Sequence, residues 1–202
     1  MLELLFGTQN LGKLLELNRL VDGLAVRVMS PAEMTSHPPH IIEDGATFLE
    51  NAVKKAQAYA RWSQRIALAD DSGLCVDALG GAPGVQSARW SGAGDQGNNE
   101  RLLRELAAVP DGKRGAHYLA VLALARPSGE VLTSVEATCR GRIARAPRGA
   151  NGFGYDPLFL IPERNQTMAE LSPDEKDLIS HRGQAFRKLR PVLQKLAAGN
   201  RP

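Results

Sequence analysis

Asp70-Asp71-Ser72 follows directly on the apolar run at 66–69, and Glu43-Asp44 lies upstream of a helix start. Adjacent carboxylates repel, so a buried pair is costly unless a cation compensates it. A few hard oxygen ligands together with phosphate oxygens suit Mg²⁺. A turn in which one aspartate caps Gly73 and the other faces water would use the same residues. Thr8-Gln9-Asn10-Leu11-Gly12-Lys13 sits where a strand hands over to a helix. Free amides at a helix start favour an anion, and a hydroxyl, an amide and an ammonium converge there. Lys13 would act as a point charge on a phosphate. The plainer alternative is an ordinary cap with Lys13 on a solvated face. The run is neither a Walker loop nor a dinucleotide fingerprint.

Two further groups lie in the second half of the chain. Gly152-Phe153-Gly154-Tyr155-Asp156-Pro157 places an aromatic ring between glycines, where a base can lie flat because the backbone approaches closely. Asp156 there could accept from ring or exocyclic N–H groups, although the same loop would serve to plug a core with its aromatics. Lys176, with Ser180-His181-Arg182-Gly183 just beyond it, gathers donors suited to phosphate or carbonyl oxygens. A basic solvated face is the alternative for that run, and Lys55 is equally open to both readings.

These groups need elements to hold them. Leu2–Phe6 reads as a buried strand, followed by a helix over 9–22 with Leu11, Leu14, Leu15 and Leu17 inward. Residues 25–29 form a second short strand, and 30–42 a proline-bearing loop. Thr47-x-x-Glu50 is a capping box opening a helix that turns Ala52, Ala56 and Tyr59 toward the core. The strand at 66–69 ends on the aspartate pair, which suits ligand binding at strand ends of α/β sheets. Gly80 to Gly84 is a turn cluster and 98–108 a helix. Residues 116–125 and 131–139 flank Pro127-Ser128-Gly129 as an antiparallel hairpin. Residues 148–154 form a glycine-rich loop. Ser172-Pro173-Asp174-Glu175 opens a helix, and Phe186, Leu189, Leu193 and Leu196 mark a last amphipathic one, bent near Pro191. The pattern is α/β with a mixed sheet.

Composition agrees with a single compact domain over 1–202 with a substantial core, 43% of its residues being hydrophobic. No stretch has the length of a membrane span, and the short apolar start lacks a basic leader. Cys75 and Cys139 lie far apart, as expected of ordinary thiols in a reducing cytoplasm. The net charge of +3 suits a polyphosphate ligand without requiring one, and its dispersal argues against a nucleic-acid partner. His37 and His40 have ligand spacing, but Pro38 and Pro39 between them forbid the helix it needs.

Taken in order, the runs Thr8 to Lys13, Glu43 to Ala52 and Ala69 to Leu74 closely resemble the inosine/xanthosine triphosphate pyrophosphatase family, which is Ham1-like. Gly80 to Val85 with Ser87-Ala88-Arg89, Phe153 to Pro157, and Glu170-Leu171 through Lys176 to Gly183 complete the pattern across nearly the whole chain. The resemblance implies a long, twisted, mixed central sheet flanked by helices, in two lobes with a cleft between them. It also implies a homodimer and a Mg²⁺ requirement. By the same likeness Thr8, Gln9, Asn10, Leu11, Gly12, Lys13 and Lys55 hold the triphosphate, Glu43 supports the metal, and Asp71 is proton acceptor and metal ligand. Ser72 touches substrate, while Phe153, Gly154, Tyr155, Asp156, Lys176, His181 and Arg182 surround base and sugar. Cys75 and Trp90 stand where a valine and a tyrosine are expected.

The implied reaction is Mg²⁺-dependent hydrolysis of ITP, dITP or XTP to monophosphate and pyrophosphate, which clears deaminated purines from the nucleotide pool. A donor from His181 or Arg182 facing the 6-position would pair with a keto oxygen and clash with adenine's amino group. That does not explain rejection of guanosine, which also carries a 6-keto group. A non-catalytic nucleotide-binding regulator and a triphosphatase of broader range are the alternatives. Against a pure binder, two adjacent aspartates bring negative charge that an anion site has little use for.

Overall fold

The structure, a computed structural model, describes residues 1–199; the last three residues of the expected 1–202 domain lie outside the described residues. The strands are β1 (Leu2–Phe6), β2 (Val26–Met29), β3 (Ile66–Val76), β4 (Gly115–Ala125), β5 (Val131–Ile143), β6 (Phe159–Ile161) and β7 (Gln166–Thr167). They form one sheet in the order β2-β1-β3-β4-β5-β6-β7. β1 pairs in parallel with β2 and β3, while β5–β6 and β6–β7 are antiparallel, so the sheet is mixed as expected. The helices are α1 (Leu11–Leu20), α2 (Phe48–Ser63), α3 (Gly94–Glu105), α4 (Pro173–Ile179) and α5 (His181–Ala197). Among the described residues no helix is long and apolar enough to cross a membrane.

The chain divides into two compact units. The first comprises Met1–Asp71, Ala120–Ala137 and the residues from Arg182 on; the second comprises Ser72–Leu119 and Thr138–His181. Each has its own apolar core. Leu4, Phe6, Leu68, Leu122 and Phe186 are central to the first, and Leu74, Leu102, Tyr118, Phe159 and Met168 to the second.

Several expectations need correction. β3 does not end at Ala69 but continues through Asp70 and Asp71 to Val76, so the aspartates are strand residues rather than a turn. Successive strand side chains point to opposite faces, which sends the two carboxylates to different partners. In α1, Leu17 is buried and Leu14 partly so, but Leu11 is 74% and Leu15 62% exposed, while Glu16 is 4% exposed. The leucines suggest one inward face, but the helix turns Glu16 inward because a buried guanidinium waits for it. Thr47 caps α2, its Oγ accepting from Glu50 N–H at 3.2 Å. The expected box is not closed, because the Glu50 carboxylate accepts from Ala46 N–H instead. α3 begins at Gly94, four residues earlier than expected. The short strands β6 and β7 were not anticipated, and α5 contains Pro191 within its length. The hairpin at β4–β5 stands, its connection closed by Arg126 N–H donating to Glu130 O at 2.9 Å.

One close approach fixes the exit from β1. A Cβ on Gly7 would lie 2.2 Å from a ring carbon of Tyr59. Gly7→Ala therefore must shift either the ring or the Thr8–Lys13 loop. We expect a loss of about 1–3 kcal/mol in urea unfolding, together with weaker triphosphate binding; an unchanged unfolding midpoint would contradict this packing account.

Candidate active site

In the first unit, two cationic side chains hold Asp70 in place. Asp70 Oδ1 accepts from Lys13 Nζ at 2.7 Å, and its Oδ2 accepts from Arg182 Nε at 2.6 Å. Arg182 Nη1 donates in turn to Glu16 Oε2. Glu16, Asp70 and Arg182 are all buried, and Lys13 is largely covered, so this is an interior ion network and not a solvated face. Burial pushes the Asp70 carboxyl up, but Arg182 and Lys13 outweigh it and hold it well below the ordinary range. Burial pulls the Lys13 ammonium down, with Asp70 opposing.

Asp71 faces a different set. Its Oδ1 accepts from Lys55 Nζ at 2.9 Å, and Glu43 Oε1 lies 2.9 Å from the same ammonium. Asp71 Oδ2 is buried with no hydrogen-bond partner among the described residues. Burial raises the Asp71 carboxyl, and Lys55 offsets this only in part. For Lys55 itself burial is again the largest influence, but Asp71 and Glu43 together overcome it and the ammonium is raised. Two neighbouring carboxylates are thus pushed apart, Asp70 downward and Asp71 upward, which assigns them different duties.

The helix start beside them is built as a cap. Asn10 Oδ1 accepts from Lys13 N–H at 3.0 Å, and Asn10 N–H donates to Thr8 Oγ1 at 3.1 Å. The plain capping reading is correct for Asn10, whereas Lys13 turns inward rather than to solvent. Gln9 lies in the loop before that cap, and Leu11 and Gly12 open α1. A cavity of about 290 Å³ opens beside it, bounded by Thr8, Asn10, Leu14, Pro31 and Pro38.

The second unit collects the aromatic group. Asp156 is buried; its Oδ2 accepts from Lys176 Nζ at 2.5 Å and from Phe153 N–H at 3.0 Å. The Lys176 ammonium lies 4.8 Å from the centroid of the Phe153 ring. Tyr118 donates its hydroxyl to Asp156 Oδ1 at 3.3 Å and stacks against His181, with centroids 4.5 Å apart and planes 13° from parallel. A Cβ on Gly152 would meet Asp156 Oδ2 at 2.1 Å, so only glycine allows that carboxylate under the loop. The Gly154 N–H donates to Asp95 at 2.7 Å. Tyr155 serves the core: its ring is buried and its hydroxyl donates to Ser87 O at 2.8 Å. Ser72, directly after Asp71 in β3, is half-buried.

The residues missed by sequence reasoning are Glu16, Asp70 as the organiser of the two cations, and Tyr118. Cys75 and Trp90 pack away from this chemistry: Cys75 bridges to Pro83 in the backbone, and Arg101 lies 4.4 Å over the Trp90 ring. Burial pushes the Cys139 thiol up to about 11, as expected of an inert side chain.

A family model of the Ham1 family matches residues 4–192, which includes every residue of both groups. The chain belongs to the Ham1 family. Among its Ham1 relatives, the dITP/XTP pyrophosphatase of Anaeromyxobacter dehalogenans is 53% identical, with 98% of this chain and 100% of that protein covered. The dITP/XTP pyrophosphatase of Pseudomonas aeruginosa is 48% identical over 95% of this chain and 96% of its own. A solved HAM1 protein from Coxiella burnetii superposes with a TM-score of 0.86 at 42% identity, covering 96% of this chain and all of that one.

Whether a metal fits this Ham1 chain can be judged from the donors. Among the described residues no group of three or more His, Cys, Asp or Glu gathers as a metal cage. Mg²⁺ does not need one, since it takes one or two carboxylates and completes its shell with water and substrate phosphates. Asp71, with its unpartnered Oδ2, and Glu43 supply such a pair around Lys55.

Proposed function

We propose that this chain is a nucleoside triphosphate pyrophosphatase that hydrolyses deaminated purine nucleotides, dITP, XTP and ITP, to the monophosphate and pyrophosphate. The observation that carries this reading is the divergent state of the aspartate pair: Asp70 locked as an anion by Lys13 and Arg182, Asp71 raised with one oxygen unengaged. The names of the 53% and 48% identical relatives support the substrate class.

Asp71 and Glu43 would hold Mg²⁺, which supplies charge neutralisation on the phosphate oxygens when bound. Asp71 Oδ2 accepts the proton of the attacking water as general base. Lys55 holds Asp71 and Glu43 in position, and with Lys13 it neutralises charge that develops on the departing pyrophosphate. The Thr8–Lys13 loop receives the triphosphate at the start of α1, and Ser72 contributes a further contact. The base lies on Phe153, with Gly154 and the Tyr155 backbone framing it. Lys176 and His181 donate to its 6-keto oxygen, fixed in place by Asp156 and Tyr118. Because Arg182 donates to Asp70 and Glu16, its part is to position Asp70 rather than to read the base. A buried donor facing adenine's 6-amino group leaves both unpaired, which can give up to ~10⁴-fold discrimination.

The test is pyrophosphate release from ITP, XTP, dITP, ATP and GTP with and without Mg²⁺. Turnover of the 6-keto inosine and xanthosine nucleotides that vanishes on chelation is expected, with ATP inert; equal turnover of ATP would contradict the base-reading group. Lys176→Met should raise KM for ITP about tenfold or more, as expected for loss of a charged hydrogen bond, and lower kcat much less. A sedimentation measurement tests the homodimer that the family likeness implies.

A further inference from the structure

The second unit contains a cavity of about 420 Å³ away from the aromatic group, lined by Arg114, Arg142, Arg145, Arg148 and Asp111 among others. Arg114 is buried and, among the described residues, donates only to carbonyls: Ile143 O at 2.8 Å, Leu106 O at 2.6 Å and Ala144 O at 3.0 Å. Arg142 donates to the Asp111 carbonyl. Arg145 pairs with the Asp111 carboxylate at 2.6 Å and Arg148 with Glu170 at 3.3 Å. Part of this arrangement is structural, because Arg114 and Arg145 also donate to the carbonyls of residues 106, 107 and 109 beyond the end of α3.

Capping explains the hydrogen bonds but not the charge. The two carboxylates pair with Arg145 and Arg148, and among the described residues the hydrogen bonds of Arg114 and Arg142 go to neutral oxygens. Four guanidinium groups against the one lining carboxylate, Asp111, give this concave wall a positive potential that an anion of two or more charges would neutralise. Burial, followed by the charge of Arg145, lowers the affinity of Arg114 for its proton, and Asp111 opposes them only in part. The cavity volume lies within the range of small-molecule sites.

We propose that this cavity is a second anion site, taking the phosphate groups of a small polyphosphate independently of Asp71. The fork geometry of guanidinium suits phosphate oxygens. Titration calorimetry of the full chain with inorganic pyrophosphate, in EDTA so that nothing turns over, should show a binding event that Arg142→Glu weakens by about tenfold or more and Arg142→Lys largely keeps. ITP turnover in Mg²⁺ should be unchanged in both variants. A parallel titration with ATP distinguishes a free polyphosphate from a nucleotide's tail; an Arg142-sensitive event with either supports the site. If circular dichroism shows that Arg142→Glu has lost its fold, Arg142→Gln carries the same comparison. Isotherms for both ligands that do not change with the residue at 142 would overturn the proposal.

Discussion

Asp71→Asn is expected to lower kcat for ITP by about 10²–10⁴-fold, the usual contribution of a positioned base, while substrate affinity changes much less. The amide is close in shape to the carboxylate and keeps an oxygen for Lys55, so the surrounding packing is undisturbed. What it removes is the proton-accepting Oδ2. The same carboxyl sets the acid side of the pH profile. Asp71 must be ionised to act, and burial raises its pKa with Lys55 only partly offsetting this. Activity should therefore fall on acidification at a pH above the ordinary aspartate value of about 3.9. Lys55→Gln removes the largest opposing charge and should move that limb to higher pH still. A profile in Lys55→Gln shifted to lower pH would contradict the electrostatic assignment.

Arg182→Met should have the largest effect on stability. The guanidinium is buried and links Asp70 to Glu16. Removing it takes a buried cation from two interior carboxylates at once. Breaking a buried pair in this way costs about 3–5 kcal/mol. The pH dependence separates this from a simple packing defect. In the wild type the Asp70 carboxyl is held well below its ordinary value despite burial, so its contribution is present above the unfolded pKa and is lost as pH falls through the folded one. Without Arg182, the burial that pushes the Asp70 carboxyl up loses its largest opponent and the folded pKa of Asp70 rises. The sign of its contribution then reverses: stability is greatest below the unfolded pKa and is lost as pH rises through the folded value. Urea unfolding at a series of pH values should show the variant gaining stability toward acid where the wild type loses it. Parallel curves would show that the network contributes no electrostatic stability.

The contrast between Lys13 and Glu16 shows what the sequence could and could not reveal. Lys13 was legible because a strand-to-helix junction with a hydroxyl, an amide and a lysine has a physical use. Glu16, flanked by Leu15 and Leu17, reads as part of a solvated face. Its partner Arg182 lies 166 residues along the chain, and no periodicity encodes that meeting. The same pairing explains the misjudged face of α1, where leucine spacing pointed inward at Leu11 and Leu15. The aspartate pair was visible as chemistry but was placed at a strand end. Its location in the middle of β3 depends on hydrogen bonding to neighbouring strands, which local composition does not report. The mixed sheet, the Ser172 cap of α4 and the final helix were all legible from local signals. Tyr118 was not, because in a strand of apolar residues an aromatic is first a core residue. Only its stack with His181 and its bond to Asp156 give it a second role.

Hydrolysis of ITP in ¹⁸O-labelled water, with the products resolved by mass spectrometry, tests the reading of Asp71 most directly. Water activated by Asp71 and attacking the α-phosphorus puts the label in the monophosphate and leaves the pyrophosphate unlabelled, and Asp71→Asn should suppress that product. Label in pyrophosphate, or release of orthophosphate with a diphosphate nucleotide, would contradict it.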